Sequence, residues 1–126
     1  MLAKQPRLSG SRLAVLTDAG YTKLREAYAR VLGCAVEDVA LKTSTSDGLG
    51  SVLAGLDLGP GDEILTTDSE HPGLLGPLIA ARHRGATVRA VPIAQLAEAV
   101  DSKTTLIAAS HVSWITGEIT PPELAE

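Results

Sequence analysis

Apolar residues change their spacing several times along this chain, and each change marks an element. From Asp18, an N-capping residue type, Leu24, Ala27, Tyr28, Val31 and Leu32 recur at helical spacing and Gly33 follows, which predicts a helix closed by a left-handed stop. Residues 1–17 keep no such period and read as a loosely ordered arm ahead of a domain over residues 18–126. Val39, Ala40 and Leu41 form a short apolar run that suits a strand buried on both faces. Leu49, Val52, Leu53 and Leu56 then make the inward stripe of a second helix that stops at Gly59-Pro60. Glu63 to Thr67 reads as a second strand. Leu74, Leu75, Leu78 and Ile79 mark a third helix, which Pro77 should kink or restart and Arg82-His83-Arg84-Gly85 should end. Thr87 to Val91 predicts a third strand, Ala94 to Val100 a short helix with Leu96 and Val100 inward, and Thr105 to Ala109 a fourth strand.

Strands alternating with helices predict an α/β fold, a mainly parallel sheet with helices on both faces. Ligands of such sheets sit beyond the carboxyl ends of the strands. Three of the four predicted strands end in polar runs, Thr43 to Asp47, Asp68 to His71 and Ser110 to Thr116, whereas the third ends in plain Val91-Pro92-Ile93. The runs therefore predict one shared site on one sheet edge. The first is a hydroxyl-rich turn opening a helix. It is a natural anion cradle, because the first helical N–H groups lack intrahelical partners and carry partial positive charge.

Composition narrows the function. A chain of 126 residues with 44% hydrophobic content can bury the core of one compact domain. A formal charge of −4, 11 scattered basic residues, one Trp, two Tyr and no Phe argue against a nucleic-acid surface. No apolar run reaches the length of a membrane span, and Met1 to Pro6 lacks the apolar core of a signal peptide, so the protein reads as cytoplasmic with no membrane partner. Cys34, the only cysteine, has no internal disulfide partner and reads as a small half-buried residue in a connection. His71, His83, His111 and Cys34 lack metal-ligand spacing, and His83 suits the negative end of the third helix.

Four segments stand in a telling order: Thr43-Ser44-Thr45-Ser46-Asp47-Gly48, Gly59-Pro60-Gly61-Asp62-Glu63-Ile64-Leu65, Glu70-His71-Pro72, and Ser110-His111-Val112-Ser113-Trp114-Ile115-Thr116-Gly117. Together they resemble the class V aminotransferases, a branch of the fold type I pyridoxal-phosphate enzymes that includes cysteine desulfurases, selenocysteine lyases and isopenicillin N epimerase-like proteins. The family carries a glycine- or serine-led Thr-Thr-Glu turn, a PGDEVL turn, an EHP and an SHVS…TG loop at these places. The resemblance runs from about Asp18 to the C-terminus. It implies the partial large domain of the fold type I transferase fold, pyridoxal 5'-phosphate as cofactor, a small-molecule amino acid as substrate and a homodimer. It also implies that Thr45 and Ser46 hold the cofactor phosphate and that the imidazole of His71, as the catalytic residue, stacks on the pyridine ring. In the cysteine desulfurase branch an asparagine of the fourth-strand loop meets the cofactor phenolic oxygen. Trp114 stands there, and an indole has one N–H donor and no acceptor. That role then passes to a hydroxyl such as Ser113 or Thr116, while Trp114 shapes the substrate pocket or packs at a subunit contact. His111 reads as a structural histidine.

The family holds its cofactor as an imine on a lysine and pairs the ring nitrogen with an aspartate, both beyond the fourth strand. Lys103, the last lysine, matches no such motif. The expectation is therefore the first part of a large domain, cut inside a helix opening at Pro121-Pro122, without the small C-terminal domain and catalytically silent alone. In the family's sheet the second strand lies between the third and fourth, while the first pairs with a seventh, so Val39 to Leu41 would stand without its neighbour. Two other readings stay open: a non-catalytic α/β module that binds an anionic ligand or a partner subunit through Thr43 to Asp47, and a truncated chain without stable function.

Overall fold

A computed structural model describes residues 10–125. They belong to two compact units, Met1–Lys42 and Thr43–Glu126.

In the first unit, helix α1 spans Gly10–Leu32. It starts ahead of Asp18, because the intervening stretch holds good helix formers and the chain has no proline between Pro6 and Pro60. Of the expected arm, residues 1–9 lie outside the described residues. Gly33 ends α1 at φ +68°, and the Cys34 N–H donates to the Ala29 carbonyl at 3.1 Å, the long bond of a Schellman stop. The apolar stripe of α1 is exposed at Tyr21, Leu24, Tyr28, Val31 and Leu32, and Cys34 is exposed rather than half-buried. A single helical turn follows at Val36–Asp38. Arg25 caps it, donating from Nη2 to the Val36 carbonyl at 2.6 Å and from Nε to the Val39 carbonyl at 2.8 Å. Val39 to Leu41 is not a strand. Val39 is extended, but the segment has no ladder partner among the described residues, and the guanidinium takes its carbonyl instead.

The second unit is built on three parallel strands, β1 (Glu63–Thr67), β2 (Thr87–Val91) and β3 (Thr104–Ile107), in the order β2-β1-β3. The middle position of β1 is the one its sequence demands, since Ile64 and Leu65 point to opposite faces and both are fully buried. Its register pairs Ile64 with Val88 on one side and with Leu106 on the other. Helices α2 (Thr45–Gly55) and α3 (Pro72–His83) pack on each other and on the sheet, burying Leu53, Leu58, Ile64, Leu74, Leu78 and Ala81 in one core. Packing as a pair narrows each helix's buried stripe, so Val52 of α2, Leu56 at its C-cap, and Leu75 and Ile79 of α3 are exposed. Helix α3 continues through Pro77. The helix expected over Ala94 to Val100 is reduced to a 3₁₀ turn at Ile93–Gln95 with further turns, because so short a segment cannot sustain a regular helix on its own hydrogen bonds. Leu96 is nevertheless buried there, while Val100 is exposed. The helix opening at Pro121-Pro122 is likewise a 3₁₀ turn, Pro122–Ala125.

Two features tie the ends of these elements. Arg89 donates to one oxygen of Glu63 from Nε at 3.0 Å and from Nη2 at 2.8 Å, a pairing across β1 and β2 that raises the Arg89 pKa against the opposing effect of desolvation. At the C-terminal end of α3, Gly85 (φ +106°) donates to the Arg82 carbonyl and Ala86 donates to that of Ala81, a full Schellman stop. A Cβ on Gly85 would lie 2.8 Å from Cγ of Pro60 in the turn before β1. Gly85→Ala is therefore expected to destabilise the chain by about 1–3 kcal/mol, from a left-handed backbone and a collision with a rigid ring. Urea unfolding would show it as a lower midpoint at unchanged slope.

Candidate functional site

Helix α2 opens the site. Ser44 is its N-cap, with the side-chain oxygen accepting from the Asp47 N–H at 3.1 Å, and the Gly48 N–H makes the first helical bond to the Ser44 carbonyl. The carboxylate of Asp47 is held in turn by the backbone N–H and the hydroxyl of Thr43, both at 3.2 Å. The donors left over at this helix end are the N–H groups of Thr45 and Ser46, which have no partner among the described residues.

Helix α3 opens nearby with a different result. His71 is its N-cap and accepts through Nδ1 from the Gly73 N–H at 2.9 Å; Pro72 has no N–H, and Leu74 donates to the His71 carbonyl at 2.9 Å. The first-turn donors of α3 are thus consumed locally, so α3 offers its dipole but no free N–H. With Nδ1 acting as acceptor, the proton of the neutral His71 ring is on Nε2.

The third contributor is the chain after β3. It forms a tight hairpin in which Val112 pairs with Ile119 and Gly117 takes φ +76°. The buried Ser113 hydroxyl oxygen accepts from the N–H groups of Ile115 and Thr116, both at 3.3 Å. This geometry turns Trp114 toward His71, with ring centroids 5.1 Å apart and planes at 75°, an edge-to-face contact.

These parts enclose a cavity of about 320 Å3 lined by Thr45, Ser46, Leu49, His71, Gly73, Leu74, Ser110 and Trp114. Each of the three polar runs contributes to it, although the first of them follows no strand. Thr45, Ser46, His71 and Trp114 meet on one rim. Thr116 does not: it sits at the far turn of the hairpin, where its hydroxyl donates to Glu118 at 2.8 Å. Ser113 is buried beneath the turn and is not on the cavity either. The hydroxyl that does line it is Ser110, whose side chain and backbone N–H both donate to the buried Glu70. Sequence reasoning missed both residues, although an acidic residue wedged between Ser69 and His71 at a strand end was a visible signal. Gly73 completes the cradle, because a Cβ there would run into the Ser46 side chain and lie 3.0 Å from His71 Nδ1. Among the described residues no lysine or arginine lines the cavity, so the positive ends of the two helix dipoles are the attraction it can offer an anion.

A parallel α/β unit that brings unpartnered N–H groups of one helix terminus and an imidazole to one cavity has the form of a pyridoxal-phosphate transferase large domain. The Aminotransferase class-V family model matches residues 2–125, and the chain belongs to that family. A probable cysteine desulfurase of Halalkalibacterium halodurans is 30% identical over 128 residues, covering 90% of this chain and 32% of that protein. Another, of Methanothermobacter thermautotrophicus, is 28% identical over 108 residues, covering 77% of this chain and 27% of that one. The chain therefore spans about a third or less of these relatives. Among solved structures, the cystine C–S lyase C-DES in complex with its product cysteine persulfide superposes at a TM-score of 0.77 with 32% identity, over 90% of this chain and 32% of that one. A C-DES mutant carrying glycine linked to its pyridoxal-phosphate cofactor reaches a TM-score of 0.78 at 31% identity, over 93% and 33% of the two chains. The chain accordingly has the fold of part of a fold type I pyridoxal-phosphate transferase, and its homologues use that cofactor.

The cradle can be probed without the cofactor. Inorganic phosphate is expected to shift the amide resonances of Thr45 and Ser46 in an NMR titration. In Gly73→Ala, whose new methyl displaces the Ser46 side chain, the shifts should shrink markedly. Unfolding stability should stay within about 1 kcal/mol, because alanine's better helix propensity offsets the crowding.

Proposed function

We propose that this chain is a partial cofactor-binding domain of a pyridoxal-phosphate enzyme that breaks a carbon–sulfur bond of a cysteine-like amino acid. The observation that carries the cofactor reading is the convergence of Thr45, Ser46 and His71 on one cavity whose free backbone donors belong to Thr45 and Ser46. The choice of carbon–sulfur chemistry over transamination or epimerisation is supported by the relatives, two probable cysteine desulfurases and a cystine C–S lyase.

The residues present fit the cofactor. Thr45 and Ser46 would bind its phosphate through N–H groups at the positive end of α2, and Gly73 keeps the approach clear. His71 would offer a flat ring to the pyridine, held in orientation by the Gly73 N–H, and Trp114 would back it from the edge. Bound pyridoxal phosphate supplies an electron-accepting ring that stabilises negative charge at the amino-acid α-carbon. The part of this chain is to anchor, orient and shield that ring. The lysine and aspartate that the reaction requires would come from the remainder of a longer protein, so this chain alone is silent. In its departure from the desulfurase branch at Trp114, the indole narrows the substrate side of the cavity and supplies no acceptor to the ring oxygen. The whole protein would work as a cytoplasmic homodimer, a reading with which the exposed apolar face of α1 agrees. Among the described residues no helix is long and apolar enough to cross a membrane.

Pyridoxal phosphate is expected to bind this chain more tightly than inorganic phosphate, and His71→Ala should weaken it by about tenfold, the worth of one aromatic stacking contact. Borohydride treatment of the mixture should leave no site-specific lysine adduct. Phosphate binding as tightly as pyridoxal phosphate, with no effect of His71→Ala, would instead favour the non-catalytic anion-binding module. A specific adduct that supports turnover would overturn the assignment of the missing machinery.

A further inference from the structure

The two rings that face the cavity come from different loops. His71 follows β1, and Trp114 belongs to the hairpin after β3. The β1–β3 ladder ends where the Ala108 N–H donates to the Leu65 carbonyl at 2.9 Å, so beyond that point the sheet no longer holds the loops together. Trp114 is 58% exposed, and a single edge contact to an exposed histidine cannot define its place.

What joins the loops is Glu70. Its residue is only 5% exposed, and its carboxylate accepts from the Thr67 hydroxyl at 2.7 Å, the Ser110 N–H at 2.8 Å and the Ser110 hydroxyl at 2.6 Å. The Ser110 carbonyl is also engaged, accepting from the Thr120 hydroxyl at 2.7 Å at the base of the hairpin. Every hydrogen-bonding group of Ser110 is therefore pinned, and the chief anchor is the residue next to His71. A buried acceptor with short bonds to donors 40 positions away in sequence cannot relax without leaving a charge unsolvated.

We propose that Glu70 is the positioning residue of this site. Through Ser110 its carboxylate clamps the loop after β3 to the turn after β1, and so sets the spacing of His71 and Trp114 on the cavity. The proposal deepens the functional reading above and rests on it only for the identity of the ligand, since the clamp is a property of the ligand-free chain.

Trp114 is the only tryptophan, so its emission reports the contact directly. At one fixed pH, the step in indole emission between a protein and the same protein carrying His71→Ala measures the contact between the two rings and vanishes when they are apart. Glu70→Ala is expected to reduce that step about twofold or more, because losing charge-assisted hydrogen bonds lowers the fraction of molecules in which the rings touch, while the far-ultraviolet dichroism stays helical. Glu70→Gln should retain the step. Its amide oxygen still accepts from Thr67 and from the Ser110 N–H, and its NH2 can donate to the Ser110 hydroxyl. A parent-sized step in a helical Glu70→Ala overturns the proposal, as does the absence of any His71-dependent step in the parent. If Glu70→Ala loses its helical signal, Ser110→Ala decides: a step smaller than the parent's supports the clamp, and an unchanged one overturns it. Pyridoxal phosphate titrated into the same proteins separates the two ideas. A parent that does not bind it but loses its step in Glu70→Ala keeps the clamp and removes the cofactor reading, and a parent that binds it with an unchanged step does the reverse.

Discussion

Strand β1 is buried on both faces, and the second unit is arranged around that constraint. Ile64 and Leu65 are consecutive, point in opposite directions and are both excluded from water, so a neighbour is needed on each side and cover on each face. Parallel neighbours β2 and β3 meet the first need, and α2 with α3 meets much of the second on the Ile64 side. A central parallel strand delivers its carboxyl end into the middle of a sheet edge, beside the end of the next strand. That places Thr67 to His71 within reach of Ser110, and the cavity follows from it.

Two helix ends meet at this cavity with opposite hydrogen-bonding states. In α2 the cap is a serine whose oxygen serves the third N–H, leaving the first two for a ligand. In α3 a proline removes one donor and the histidine cap uses the next, so the same kind of terminus turns an imidazole into a fixed wall. One end keeps two N–H groups without a partner among the described residues, the other presents a ring. The difference comes from residue choice, since the helices are of similar length.

Some of this was legible in the sequence. The turn at Ser44 to Asp47, the Gly33 and Gly85 stops, the strands at Glu63 and Thr87 and the histidine before Pro72 are local signals. Each depends on residues within a few positions, where capping, φ and alternation act. The order β2-β1-β3 followed from family resemblance rather than from local pattern. Less legible were the start of α1, the collapse of the segment after Pro92 into a 3₁₀ turn and the absence of a strand at Val39. An extended run becomes a strand only with a partner, and a short helix survives only when packing favours it.

The sequence by itself determined most of the element types, the capped turn at Ser44 to Asp47 and the class V character of the chain, because those rest on short-range stereochemistry and on motifs in a fixed order. Tertiary structure alone decided which polar residues share a cavity. It sent Thr116 to a hairpin turn with Glu118, brought Ser110 to the rim and buried Glu70 between two loops. Nothing in the local pattern near residue 70 announces a partner at residue 110. That pairing exists because β1 and β3 are neighbours, and a carboxylate enclosed where their ends meet has to find its donors there.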